Sequence, residues 1–196
     1  MSKWTQDEIS QLEELYPVTY TDNLTDEFGR SSEAIRAKAS RLGLQKHDDL
    51  DKIESIESSN KIDLSDISDE RGNFLAGFVA GEGSFIRKRE NGSKRFTFQV
   101  TVADDDPEAI DMLKQTLDCG TIHQYAPRRD GEKGSIVFQV SKYGDIVKKV
   151  IPFFDKYGFH RTRKNGQYRE WAEVALMELP VLDDRRYQDL AINRKI

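Results

Sequence analysis

The 196 residues carry 37% hydrophobic and 33% charged side chains, which is room for a medium domain and a small one and excludes a large multidomain machine. With 30 basic and 35 acidic residues the formal charge is -5, and the single Cys119 excludes an intrachain disulfide and a cysteine-ligated zinc site, so an intracellular, cytoplasmic-type protein is expected rather than a secreted one. No apolar run reaches the roughly 18 residues of a membrane span, and Met1-Ser2-Lys3-Trp4 lacks the apolar stretch of a signal peptide, so no membrane partner is expected.

The chain opens with Thr5-Gln6-Asp7-Glu8, a capping-box pattern in which the Thr hydroxyl and the Glu carboxylate satisfy free N–H groups at a helix start. Ile9, Leu12 and Leu15 follow at helical steps, Trp4 and Tyr16 stand beside them, and Pro17 ends the run. A second short helix is expected from Asp22 to Phe28, punctuated by Gly29. Ser31 or Ser32 caps a third, with Ile35, Ala39 and Leu42 as its buried stripe and Gly43 as its stop. Arg36, Lys38 and Arg41 project from its other faces. Three short helices ending in a basic one can lay the last helix in a DNA major groove; a three-helix protein-interaction module is the alternative. The run Ala34-Ile35-Arg36-Ala37-Lys38-Ala39-Ser40-Arg41-Leu42-Gly43-Leu44, with Trp4-Thr5 and Glu8, resembles the Myb/SANT-like helix-turn-helix family.

Residues 47–70 then hold 2 basic and 9 acidic side chains. A solvated acidic linker is expected at 47–67, although Leu50, Ile53 and Ile56 also fit one side of an exposed helix. Both readings separate a module at 1–46 from one at 68–180, with a C-terminal tail at 181–196.

In the second module Asp69 and Glu70 lie in a first helical turn, where carboxylates complement the helix dipole. Phe74, Leu75, Phe78 and Val79 follow at helical spacing, with Ala76, Gly77, Ala80 and Gly81 read onto the opposite side. Two glycines within one short helix each cost about 1 kcal/mol relative to alanine, and close approach of another backbone would explain them. Glu82 then stands at the helix end where the dipole opposes negative charge, which suggests a nearby cation; a solvated Glu in a Gly turn leading into a strand is the other, commoner reading of Gly-Glu-Gly.

Beyond it, Ser84 to Arg89 and Arg95 to Val102 read as strands joined by an Asn91-Gly92 turn. Pro107 starts a helix carrying Ile110, Leu113 and Leu117. Gly120 to Ala126 and Ser135 to Ser141 form a second strand pair around Asp130-Gly131, and helices are expected at about 144–157 and 167–179. Alternation puts Phe96, Phe98, Val100 and Val102 on one side of the second strand and Arg95, Thr97, Gln99 and Thr101 on the other. Ile122 likewise opposes Thr121, His123 and Tyr125, and Ile136, Phe138 and Val140 oppose Val137, Gln139 and Ser141. Ser84 and Lys88 of the first strand complete a polar sheet face able to reach base edges and phosphates. Arg87 and Arg89 share the inward parity of Phe85, which leaves two readings: they pass the end of the core, or a bulge shifts the register.

The string Leu75-Ala76-Gly77-Phe78-Val79-Ala80-Gly81-Glu82-Gly83-Ser84-Phe85 resembles the signature of LAGLIDADG homing endonucleases. The resemblance implies an α+β fold of order αββαββα, here behind a small all-α three-helix domain. It implies that two such helices pack through their small residues, which places Phe74, Gly77, Phe78, Ala80 and Gly81 at an interface. The acid at the helix end would bind a divalent cation, so Glu82, with Gly81 beside it, is the candidate ligand for Mg²⁺, with Mn²⁺ as a substitute. A lysine before the last helix serves the scissile phosphate in the family; Lys164 is closest to that position, Arg163 is the alternate, and Arg161 belongs to the same basic segment. Where the family frequently has a polar, water-ordering residue at the end of the second strand, this chain has Val102.

A single signature helix implies a homodimer that cuts both strands of a long pseudo-palindromic DNA duplex in intron or intein mobility. A non-cleaving transcriptional regulator and an intron RNA maturase on the same scaffold are the alternatives.

Overall fold

The computed structural model describes residues 3–90, 93–104, 107–127, 129, 133–159 and 162–179. The tips of the two expected strand turns, Arg161 and the tail 181–196 lie outside the described residues. The chain divides into two compact units, 1–54 and 55–196. Among the described residues no helix is long and apolar enough to cross a membrane.

The first unit has α1 (Gln6–Leu15), α2 (Thr21–Phe28) and α3 (Ser32–Leu42) around Leu12, Leu24, Phe28 and Ile35, with Trp4, Leu15, Tyr16, Leu42 and Leu44 packed against them. The capping box forms as written: Glu8 N–H donates to Thr5 Oγ1 at 3.1 Å, and Thr5 N–H donates to Glu8 Oε2 at 2.7 Å. That backbone bond, then the Arg30 guanidinium, hold the Glu8 carboxyl below its usual range. Arg30 also lies 4.3 Å over the Trp4 ring, which ties the N-terminal arm to the turn before α3. Of the two candidate caps for α3, Ser31 is the one used. Gly29 and Gly43 close α2 and α3 in the left-handed conformation that a side chain rarely adopts.

The acidic segment forms a helix, α4 (Asp48–Glu57), rather than a tether. Its isoleucines are not exposed: Ile53 and Ile56 are buried, and burial of that apolar pair outweighs the solvation of the surrounding carboxylates. Glu54 accepts from the Thr21 backbone N–H at 2.6 Å, capping α2. Residues 55–67 belong to the second unit and are bound along it. Lys142 donates to Ser58 O, Lys148 to Ser59 O and Lys156 to Leu64 O, at 3.0, 2.9 and 2.9 Å. Tyr157 Oη donates to Ile67 O at 2.8 Å. These lysine donors satisfy backbone carbonyls of the segment 58–64.

The rest of the second unit is α5 (Asp69–Glu82), β1 (Gly83–Glu90), β2 (Ser93–Ala103), α6 (Glu108–Leu117), β3 (Thr121–Tyr125) and β4 (Ser135–Val140). There follow α7 (Tyr143–Asp145), a π-helical turn (Ile146–Val150), α8 (Ile151–Tyr157) and α9 (Arg163–Met177). The strands form one antiparallel sheet in the order β1-β2-β4-β3. Phe96, Phe98, Val100, Ile136, Phe138 and Val140 face a core shared with α5, α6, α8 and α9. The alternation therefore sorted the two sheet faces correctly.

The β1–β2 ladder runs unbroken from Gly83↔Val100 to Glu90↔Ser93, so no bulge shifts the register. Arg87 pairs across from Phe96 yet stays exposed, 3.7 Å from Glu170 of α9, at the rim of the core. Trp171 of α9 donates from Nε1 to Ile86 O at 3.0 Å, and the Phe85 ring meets Phe98, Phe154, Phe159, Tyr168 and Trp171. These contacts fix the start of β1.

Helix α5 is rotated from the expected orientation. Gly72, Leu75, Ala76 and Val79 are its buried residues, so Ala76 points inward and Phe74 outward at 52% exposure. The small Ala76 lets the helix sit close to the sheet, and the displaced bulk turns to the open side. Helix α9 begins at Arg163 instead of about 167, which puts the basic residues inside its first turn. Cations there oppose the dipole, and that is why the segment reads as a loop.

Burial, then Asp145, pushes the Cys119 thiol up to about 12. Alkylation by iodoacetamide at pH 8 is therefore expected to run about 10²–10³-fold slower in the folded chain than in urea, as intact-mass spectrometry would show. Because the unfolded thiol ionises first, the same shift removes stability as pH rises above about 9.

Candidate active site and nucleic-acid interface

Glu82 is the last residue of α5 and Gly83 the first of β1, with no loop between them. Gly83 is buried and extended, and its N–H donates to Val79 O. A side chain there would collide with Val79, at 2.5 Å from Cγ1 and 2.7 Å from O, so only glycine permits this helix-to-strand junction. The junction leaves the Glu82 carboxylate exposed beside the sheet.

Lys164 comes to the same place from α9: its Nζ donates to Gly83 O at 2.5 Å. The bond offsets the unfavourable position of a cation in a first helical turn. It also separates the two basic candidates, because Arg163 is exposed while half-buried Lys164 is tied one residue from Glu82. The anchoring carbonyl of Gly83 and the Trp171 bond to β1 were not legible from residue types; a donor at the start of α9 has no sequence pattern that names its acceptor.

Along the outward face of α5, Phe74, Gly77 and Gly81 are exposed, and Phe78 and Ala80 are half-buried. A Cβ added at Gly77 or Gly81 would meet nothing within 4 Å. The stripe is open along its length and ends at Glu82.

The polar sheet face forms in rows. Ser84 pairs with Gln99, Gln99 with Gln139 and Gln139 with Thr121, one row across all four strands. Lys88 pairs with Arg95, and Thr101 with Val137, which pairs in turn with His123. Within strands, Gln99 Nε2 donates to Thr101 Oγ1 at 3.2 Å and Gln139 Nε2 to Ser141 Oγ at 2.6 Å, while Thr121 Oγ1 and His123 Nε2 are 3.0 Å apart. Tyr125 is 55% exposed at the end of β3. Thr97 is half-buried on this face, Val137 lies on it as its alternation requires, and Ile86 adds a second apolar residue that the polar pattern did not single out. Val102 packs against the core, as its parity requires. In the first unit Arg36 and Arg41 are exposed on α3 and Lys38 is half-buried.

Glu82 and the Gly81 carbonyl, at a helix end whose last carbonyls lack intrahelical partners, are hard oxygen donors of the kind that Mg²⁺ accepts. Among the described residues no group of three or more His, Cys, Asp or Glu could hold an ion. The donor set thus fits a divalent cation in part and needs a further carboxylate from elsewhere.

Among the described residues, one antiparallel sheet, covered by helices on one face and polar on the other, with an acid-ended helix entering its first strand, makes an α+β scaffold. A family model described as LAGLIDADG endonuclease matches residues 75–175, and the chain belongs to that family. It is 31% identical over 106 residues to "Probable intron-encoded endonuclease 2" of Neurospora crassa, covering 54% of this chain and 22% of that protein. To "Probable intron-encoded DNA endonuclease 1" of Mycosarcoma maydis it is 27% identical over 94 residues, 47% of this chain and 33% of that one. The chain therefore spans about a fifth to a third of the length of these curated relatives. Among solved structures, I-SmaMI bound to an uncleaved DNA target with calcium ions aligns at TM-score 0.47 and 28% identity, covering 61% of this chain and 41% of that one.

Proposed function

We propose that the protein is a site-specific DNA endonuclease that hydrolyses both strands of a pseudo-palindromic duplex as a homodimer, with Mg²⁺. One observation carries the reading: the open glycine stripe of α5 ends at the exposed Glu82, with Lys164 anchored to the adjoining residue and the polar sheet face beginning at Ser84. Two copies packed through Phe74, Gly77, Phe78, Ala80 and Gly81 bring two Glu82 carboxylates together at the two-fold axis. Together with the Gly81 carbonyls these would hold the cation, which when bound supplies an activated water and neutralises phosphate charge.

The chain's own groups do the rest. Lys164 presents a cation beside the acid to meet charge developing on the scissile phosphate. Ser84, Lys88, Arg95, Thr97, Gln99, Thr101, His123, Tyr125, Gln139 and Ser141 read and hold the duplex across the polar face. Residues 1–46 serve as a helix-turn-helix of Myb/SANT-like type, with Arg36, Lys38 and Arg41 directed to a flanking sequence.

Selection of cut sites from a random duplex library in Mg²⁺, with the mass of the protein measured by sedimentation, tests this reading. Cleavage of a near-symmetric site by a dimer is expected, and binding with no metal-dependent cutting on any target would favour a regulator instead. Lys164→Met is expected to lower single-turnover cutting by about 10²–10³-fold with little change in duplex affinity, while Arg163→Ala changes cutting less than about fivefold. Deletion of residues 1–46 is expected to weaken affinity about tenfold or more and to reduce its salt dependence, read by fluorescence anisotropy across a KCl series.

A further inference from the structure

We propose that Ile86 and Val137 help to set the target sequence by recognising thymine through its 5-methyl group, an inference that rests on the endonuclease reading and on its use of the polar sheet face. Among the described residues, five apolar residues of the strands are half-buried: Phe85, Ile86, Val102, Ile122 and Val137. Phe85, Val102 and Ile122 pack against the core. Ile86 and Val137 stand outside it, on the opposite face, where their neighbours are polar.

The register places each of them among hydrogen-bonding side chains. Val137 lies between Thr101 of β2 and His123 of β3, and Ile86 lies across from Thr97. The row Ser84–Gln99–Gln139–Thr121 runs between the two, with Val137 two residues to one side of it and Ile86 two residues to the other. Two residues of strand span about 7 Å, which is about two base steps of a duplex, so the apolar side chains and the glutamines address different base pairs.

In a major groove the amides and hydroxyls can match donors and acceptors on base edges, but the thymine methyl offers neither. Its removal from water is favourable only against an apolar surface, and these two side chains supply one within the polar face. Cytosine at the same place has no methyl and presents its N4 amino group, which loses its water without gaining an acceptor. Ile86 and Val137 thus favour thymine by an attraction and disfavour cytosine by an unpaired donor.

The test replaces each thymine of a library-selected duplex in turn, in both half-sites, by deoxyuridine, which lacks only the methyl. Affinity is read by fluorescence anisotropy in EDTA for the parent, Val137→Ser, Ile86→Ser and Val137→Ile. The parent is expected to lose about fourfold per methyl at the recognised thymines. Val137→Ser abolishes that sensitivity at one thymine of each half-site, Ile86→Ser abolishes it at a different one, and Val137→Ile keeps both. A parent indifferent to every replacement overturns the proposal without need of any variant. So do serine variants that weaken thymine and deoxyuridine duplexes equally, which is the result expected if the two residues serve strand stability alone. Both outcomes leave the endonuclease reading intact, whereas a parent that binds and cuts no duplex in Mg²⁺ overturns that reading and this proposal together.

Discussion

Glu82→Gln is expected to abolish metal-dependent cutting, by at least about 10³-fold in single-turnover rate, while the folded protein becomes slightly more stable. The two effects separate because they arise from different properties of the same group. Glutamine keeps the length and one carbonyl oxygen of glutamate but removes the negative charge that a hard divalent cation requires. In the proposed homodimer both copies lose it at once, so the axis keeps no carboxylate from α5. For folding the sign reverses. Glu82 closes a 14-residue helix at the end where the backbone field opposes negative charge, and it is exposed. Neutralising it relieves that opposition by about 0.3–1 kcal/mol per helix, and relieves the repulsion between two such groups at a two-fold axis as well. Duplex affinity without metal should rise, since two anions facing phosphates have been removed. Plasmid nicking in Mg²⁺, thermal melting and anisotropy in EDTA measure the three quantities. A variant that still cuts at the parental rate excludes Glu82 as the cation ligand.

Most of the second unit was legible because its residues obey one period at a time. Strict alternation through Phe96–Val102 and Ile136–Val140 sorted the sheet faces, and the string from Leu75 to Phe85 marked the helix that enters β1. The failures share a cause: they sit where tertiary packing chooses between local options of similar energy. Phe74 and Ala76 lie two residues apart in the stretch Phe74–Gly81, which is apolar all round, so its periodicity is weak and the sheet decides which face turns inward. Ile53 and Ile56 look like an apolar pair on an otherwise charged run until both are buried and Glu54 caps α2. In the basic turn at Arg163 and Lys164, Gly83 O accepts from Lys164, a contact between residues 81 apart in the chain that offsets the opposing dipole. In each case a long-range partner, absent from any short window, overrides the local preference.

The same substitution at two glycines of α5 should move stability in opposite directions. At Gly72 a new Cβ would lie 2.2–2.4 Å from three ring atoms of Tyr157. That ring cannot swing aside cheaply: its hydroxyl donates to Ile67 O at 2.8 Å and it packs against Phe153 at a centroid distance of 5.0 Å. Gly72→Ala must displace the ring or the helix, and a loss of about 1–3 kcal/mol is expected from such overpacking, with a lowered melting temperature. At Gly77 the added methyl meets nothing within 4 Å, so Gly77→Ala should add about 1 kcal/mol from helix propensity within the protomer. The cost at Gly77 falls on assembly instead. If the open stripe is where two copies meet, Gly77→Arg introduces bulk and like charge directly across the two-fold axis, and the dimer should dissociate at least 10³-fold more readily while the monomer stays folded. Sedimentation equilibrium and thermal melting of Gly72→Ala, Gly77→Ala and Gly77→Arg resolve the two faces of the helix. A Gly77→Arg protein that remains dimeric would place the interface on another surface, and cutting by such a protein would remove α5 from the axis of the site.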